Sequence, residues 1–256
     1  MSKLSLTLML VALLCGGMLY PSQAQGDDSP TAVVKKFYQQ LHARKYLDGL
    51  RLSVYGPAVE GLSPDELREL ESDFSRIAEG IPENVETTGE QISGDTATVF
   101  IKLPGAAGPQ DITLARIDGH WRVGDRETYK LVKGQGREFF FNARISVREN
   151  EAAEWLEEIF GAETVYFKAK SRFTTLEELL SLGGISKQLA NDSESGYRFE
   201  LKVAENGQGF TATAVPVRYG RTGRRSFYID EAGVIRAEDK QGQAATAASP
   251  KYQIIK

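Results

Sequence analysis

Apolar and charged residues alternate strictly from Tyr197 to Val203. Tyr197, Phe199, Leu201 and Val203 fall on one side of an extended chain, and Arg198, Glu200 and Lys202 on the other. The pattern predicts a half-buried strand. Asn206 to Gly209 supplies turn residues, Phe210, Ala212 and Ala214 resume the buried face, and Ser226 to Ile229 forms a third run before Asp230 to Gly233 turns the chain into Val234-Ile235-Arg236. Pro216 has no N–H to give to a ladder, which predicts an edge position for its strand. Ahead of this meander, Thr175 and Glu178 are spaced as a capping box, and Gly183-Gly184 ends the short helix they open.

A helical period governs much of the remainder. Ser29-Pro30 is a start signal, after which Val33, Val34, Phe37 and Leu41 share one face; a second short helix covers Tyr46 to Leu52. Ser63-Pro64-Asp65-Glu66 opens a third, with Leu67, Leu70, Phe74 and Ile77 as its apolar stripe and Gly80 beyond its end. Strands are predicted at Asn84 to Ile92, Thr96 to Leu103, Ile112 to Ile117 and His120 to Val123, the last two joined by the hairpin signal Asp118-Gly119. Arg126 to Glu138, charged and carrying Gly134 and Gly136, reads as a linker. Ala152, Leu156, Ile159, Phe160 and Tyr166 then predict a helix over Ser146 to Lys170, roughly 37 Å long at 1.5 Å per residue. These elements predict an α+β protein of two domains: a helix-wrapped curved antiparallel sheet at 29–125, a linker at 126–141, a long helix on a small antiparallel meander at 142–249, and a tail at 250–256. The segment Gln241 to Pro250 is low in bulk and reads as extended or mobile.

Composition adds export to this picture. Lys3, the apolar run Leu4 to Leu14 and Ser22-Gln23-Ala24 have the layout of a signal peptide over residues 1–24, which places the protein in the periplasm or outside the cell. A lipoprotein attached through Cys15, or an uncleaved anchor over Leu4 to Tyr20, are the alternatives; membrane contact is expected only through such an uncleaved segment. Cys15 is the sole cysteine, so cleavage after Ala24 leaves no thiol for a disulfide, a nucleophile or a zinc site. The net charge of −4 gives no general attraction to nucleic acid.

Two family resemblances follow from the motifs. AVVKKFYQQLHARKY and IDGHWRVGD, at the two ends of the first unit, resemble the nuclear transport factor two-like fold, which implies a sheet curled into a cone that some relatives use as a ligand pocket or active site; Phe37, Phe74 and Trp121 are the residues expected to line it. From Ala143 to about Ser249, ARISVRENEAAEW, VYFKAKSRF, TLEELLSLGGI, SGYRFELKV, GFTATAVPVRYGRTGRRSFYIDEAGVIR and ATAASPKY are similar to the globular half of type IV pilin-like and pseudopilin-like proteins. The G-F-T-L-I-E signature and long apolar helix that build pilin filaments do not stand ahead of it, so ordinary polymerisation is not implied.

Candidate chemistry is sparse. His42 and His120 have no clustered partner, Asp48, Asp73 and His120 are the candidates for an inward-facing base in a cone, and no metal, cofactor or nucleotide motif occurs. Gly220-Arg221-Thr222-Gly223 lies between strands, without the helix N-terminus that binds phosphate. One charge cluster is unusual: Arg218, Arg221, Arg224 and Arg225, with Tyr219 among them. It could grip an anionic partner, or it could be a solvated loop offsetting Asp230 and Glu231. The acidic residues Glu66, Glu69 and Glu71, and in the long helix Glu151, Glu154, Glu157 and Glu158, read as solvated helix faces. The leading expectation is an exported, non-enzymatic envelope or secretion accessory that works by contact with envelope or pilus proteins. The alternative is a cone in the N-terminal half that binds, or acts on, a small ligand, and a third reading is a filament component tethered by its N-terminal segment.

Overall fold

Helix α1 (Pro30–His42) starts where Ser29 Oγ accepts the Ala32 N–H at 3.2 Å, and Glu90 reaches over from the sheet to accept from Thr31 N at 3.0 Å and Thr31 Oγ1 at 2.6 Å. These contacts fix how α1 lies on the sheet beside it. The structure, a computed structural model, describes residues 29–105 and 108–254; the expected signal segment at 1–24 and Cys15 lie outside the described residues.

That sheet is an antiparallel meander in the order β1-β2-β3-β4: β1 (Glu86–Ser93), β2 (Thr96–Lys102), β3 (Gln110–Ile117) and β4 (His120–Val123). Asp118 and Gly119 both take positive φ in the two-residue β3–β4 turn, as its twist requires. Ala97, Val99 and Ile101 on alternate positions of β2, with Leu114 and Trp121, pack against Val33 and Val34 of α1. The first apolar cluster is therefore one helix on one sheet face.

A second cluster is purely helical. It joins α2 (Tyr46–Arg51), α3 (Gly56–Glu60), α4 (Pro64–Ile77), α5 (Arg126–Gln135) and the start of α6 (Phe139–Lys170) through Leu50, Val59, Leu70, Phe74, Val132 and Phe141. Helix α5 replaces the expected linker. Asp125 caps it, its Oδ1 accepting the Thr128 N–H at 2.8 Å, and Val132 is fully buried; Gly134 sits in its last turn and Gly136 beyond its end, so neither glycine interrupts the helix. Helix α6 begins at Phe139, seven residues before the expected Ser146, and its 32 residues span about 48 Å.

The third cluster lies beneath the rest of α6. Ala152, Ala153, Leu156 and Ile159 pack on Phe210, Ala212, Ala214, Phe227 and Ile229 of a second antiparallel sheet, ordered β5 (Tyr197–Val203), β6 (Phe210–Pro216), β7 (Ser226–Asp230) and β8 (Arg236–Glu238). Helix α7 (Leu176–Ser181), a 3-10 turn at Lys187–Ala190 and α8 (Asp192–Ser195) lead from α6 into β5. Both sheets are antiparallel, and the fold is α+β. Gly233 is required where the turn before β8 meets the helix. Its φ is 70°, and a Cβ there would lie 2.7 Å from the Phe160 ring.

Three further details differ from the sequence reading. Pro216 is not on an edge strand: β6 pairs with β5 on one side and β7 on the other, but the β7 pairing ends at Ala214, so the missing N–H of Pro216 costs no ladder bond to β7. The last strand runs two residues later than Val234–Arg236. The segment expected to be mobile is docked. Ala245 and Ser249 are buried, Arg236 Nη1 donates to Ser249 O at 2.9 Å, and the Tyr252 ring stands edge-on to Phe227 at 5.1 Å.

Glu163 sits fully buried on α6, 0% exposed, and accepts the Thr174 N–H at 3.1 and 3.3 Å in the turn toward α7. Burial pushes its carboxyl up from 4.5 to about 7, against the opposing effect of that N–H. The folded chain holds this proton more tightly than the unfolded chain does. The contribution of Glu163 to stability is therefore full below pH 4.5, is lost as the pH rises to about 7, and stays lost above it. Glu163→Gln keeps the acceptor oxygen and is expected to flatten that part of the profile, raising stability at pH 8 by about 1–2 kcal/mol after allowance for solvent screening. Urea midpoints at pH 4.5, 6 and 8 check this; parallel profiles for the two proteins would refute it.

Candidate functional site

The loop 217–225 between β6 and β7 carries the arginine cluster, and its backbone is tightly held. Arg218 O accepts the N–H groups of Arg221 and Thr222 at 3.0 and 2.9 Å, and Thr222 Oγ1 accepts the Arg218 N–H at 3.0 Å. Gly223 lies so close to the Tyr197 hydroxyl that no Cβ fits, and that hydroxyl donates to Arg225 O at 3.0 Å. Buried Glu149 on α6 accepts the N–H groups of both Arg224 and Arg225 through Oε1, at 2.9 and 3.0 Å. The loop is thus pinned to the long helix.

Its side chains turn to the protein's own acids. Arg218 reaches Glu69 at 3.4 Å, Arg221 reaches Glu66 at 3.4 Å with its guanidinium 4.0 Å from the Phe141 ring centre, and Arg225 reaches Glu149 at 3.4 Å. Arg224 donates to Asn142 Oδ1 at 3.0 Å, and Tyr219 donates to Asp239 at 3.2 Å. Asp230 and Glu231 are not the partners expected for this cluster: Asp230 instead accepts from Tyr228 and from the Ala232 N–H.

The acids of α4 are correspondingly not a solvated face. Glu66 closes the capping box by accepting the Ser63 N–H at 2.9 Å, and it also takes Arg137 at 2.9 Å. The Ser63 N–H chiefly, with Arg137 and Arg221 adding to it, holds the Glu66 carboxyl below the usual carboxylate range. Arg144, almost wholly buried on α6, bonds Asp73 through Nε at 2.9 Å and through Nη2, and Glu69 through Nη1 at 3.0 Å and its carbonyl at 2.8 Å. Three carboxylates of α4 are shared among Arg137, Arg144, Arg218 and Arg221, which come from the 3-10 turn Gly136–Glu138 just before α6, from α6 and from the β6–β7 loop. Glu71 alone of the three predicted face residues remains exposed without such a contact among the described residues.

Phe37, Phe74 and Trp121 do not line one cavity. Trp121 belongs to the α1–sheet cluster, Phe74 to the helical cluster, and Phe37 is half-buried beside Tyr38, its ring centre 5.7 Å away. Asp48 pairs with Arg51 at 3.6 Å on the exposed side of α2, Asp73 is held by Arg144, and His120 is exposed at the start of β4. His42 Nδ1 lies 2.9 Å from Ile81 O. Among the described residues, no group of three His, Cys, Asp or Glu is placed to hold a metal ion.

Two grooves of ≈ 730 Å³ flank the C-terminal half of α4. One lies against the α1–α2 corner, lined by Leu41, His42, Tyr46 and Ser75; the other lies against α6, lined by Ile77, Val147, Arg148, Glu151 and Trp155, with Gln188 and Glu194 on its far wall. Sequence patterning did not place the second groove, because its residues come from elements whose packing only the fold defines. Compared with known proteins, the chain matches no family model, no curated protein and no solved structure.

The network sets a hierarchy for mutation. Arg144→Ala strands two half-buried carboxylates and is expected to cost about 3 kcal/mol, whereas Arg224→Gln, whose side chain is exposed, is expected to cost under about 1 kcal/mol. Denaturant unfolding of both variants measures the difference; equal costs would show that the α4–α6 contact is not held by these charges.

Proposed function

We propose that this protein is an exported, non-enzymatic accessory of the cell envelope or secretion apparatus that acts by presenting rigidly held surfaces to partner proteins. The observation that carries this reading is the shared use of α4's carboxylates by arginines from both sides of α6. Such sharing fixes the helical cluster, the long helix and the β6–β7 loop against one another, and a fixed arrangement lowers the ordering cost of binding. The likeness of 142–249 to pilin heads, and the export pattern at 1–24, supply the compartment and the kind of partner.

The test is photocrosslinking of the full chain in the cells that produce it, with the photoreactive residue at Val147 and, as a control on another surface, at Asp111. Discrete crosslinked species from position 147 in the exported fraction, and a mature protein that lacks residues 1–24, are expected. A chain kept in the cytosol with Met1 intact would overturn the export reading, and crosslinks equally abundant from both positions would overturn the reading of a dedicated contact surface.

A further inference from the structure

We infer that β5 is a dimerisation edge: two copies of this chain join their second sheets by antiparallel pairing of β5 with β5, centred on Leu201. This goes beyond the functional reading above and does not depend on it.

The two sheets have four edges, and among the described residues three of these are interrupted. A register shift between Thr87 and Gly89 bulges β1. On β4, Val54 N–H donates to Val123 O and Val123 N–H donates to Leu52 O, each at 2.9 Å; on β8, the tail closes the edge, with Ala237 N–H donating to Pro250 O and Tyr252 N–H to Ile235 O, both at 2.9 Å. Bulges and covers of this kind keep a sheet from pairing with other chains. The fourth edge, β5, has neither. Its register with β6 is unbroken from Tyr197 to Val203. The bonds at the two ends of that ladder, Val217 N–H to Gly196 O at 3.0 Å and Ala204 N–H to Gly209 O at 2.8 Å, set its phase: even-numbered residues turn their N–H and C=O toward β6, whereas Tyr197, Phe199, Leu201 and Val203 turn theirs away. Ser195 Oγ satisfies Tyr197, donating to its carbonyl at 2.8 Å and accepting its N–H at 3.1 Å. No described residue bonds the outward N–H or C=O of Phe199, Leu201 or Val203.

This open stretch is complementary to itself. With Leu201 opposite Leu201, each Phe199 falls opposite the other copy's Val203, and the three residues exchange N–H···O bonds with none of their outward groups left over. The charges agree with that register. Glu200 and Lys202 flank Leu201 on the outer face, with side chains 60% and 70% exposed, so each Glu200 comes to lie opposite the other copy's Lys202 where the strands approach most closely. A slip of two residues, the smallest that keeps the outward groups facing, sets Glu200 against Glu200 and Arg198 against Lys202, or Lys202 against Lys202. Charge therefore selects one alignment, in which half-buried Phe199, Leu201 and Val203 form a continuous apolar row across the seam. Two-fold symmetry supplies this match in length, bonding and sign of charge without a second sequence. The seam is short beside the ~1,600 Å² of a standard interface, so the dimer is expected to be reversible.

Sedimentation equilibrium of the purified protein from about 1 µM to 1 mM is expected to show a monomer–dimer equilibrium. Glu200→Lys and Lys202→Glu each set like charges opposite one another and are expected to weaken association about ten-fold. The double variant Glu200→Lys/Lys202→Glu restores opposite charges and is expected to recover the original equilibrium, and an equimolar mixture of the two single variants is expected to form a mixed dimer more tightly than either associates alone. Both side chains are exposed, so the substitutions leave folding intact, which circular dichroism verifies. A protein that stays monomeric throughout that range overturns the proposal. So does a dimer that the single variants leave unchanged, or one that the double variant fails to restore. None of these outcomes bears on crosslinks from Val147, so this inference and the proposed function fail separately.

Discussion

Helix α6 is anchored at its start and along its middle to different cores, and a straight helix has no freedom to satisfy them independently. Its first turns are held by Phe140 and Phe141 in the helical cluster and by Arg144 on Glu69 and Asp73; its middle is held by Ala152, Leu156 and Ile159 on the second sheet. At 3.6 residues per turn, the side carrying Phe140 and Arg144 is roughly 110° around the axis from the side carrying Leu156 and Ile159. That angle is fixed by backbone geometry alone. Once α4 is seated on Arg144, the direction from which the second sheet meets the helix follows.

The arginine network is best understood as completing this geometry. A surface ion pair contributes little, but Arg144 is nearly buried and its two carboxylates are half-shielded, so each member depends on the others to avoid a stranded charge. Arg221 adds a different attachment, its guanidinium 4.0 Å from the Phe141 ring centre, which the guanidinium of Arg144 approaches at 5.5 Å. Phe141 therefore joins two guanidiniums to the helical core. Glu149, one turn beyond Arg144, does for the loop backbone what Glu69 does for the side chains: it gives two consecutive N–H groups an acceptor where water has little access.

The sequence carried the strands and most helix starts plainly, because those signals are local. Alternation in β5, the Ser63 capping box and the Asp118-Gly119 turn each depend on residues within one element. What it could not carry was the early part of α6. Phe140 and Arg144 fall off the stripe formed by Ala152, Leu156 and Ile159, so a single helical period stops fitting near residue 146 although the helix continues. The same applies to α5, whose single buried residue, Val132, offers no stripe at all. The arginine cluster was visible as a sequence feature, but its partners were not: Glu66 and Glu69 lie some 150 positions away and look like any helix surface until α6 and the β6–β7 loop are brought against them.

The change of face along α6 also accounts for where the open groove lies. Were α6 to keep one buried face throughout, α4 and the second sheet would compete for the same side of it, and no strip would be left between them. Because the faces diverge, α4 and the sheet occupy separate sides, and α4 stops at Ile77 while the side it covers runs on for two more turns. The far wall comes from Gln188 and Glu194, in the short elements that carry the chain from α7 into β5. A groove of this kind is held open by covalent helix geometry on its floor and by packed elements at both margins.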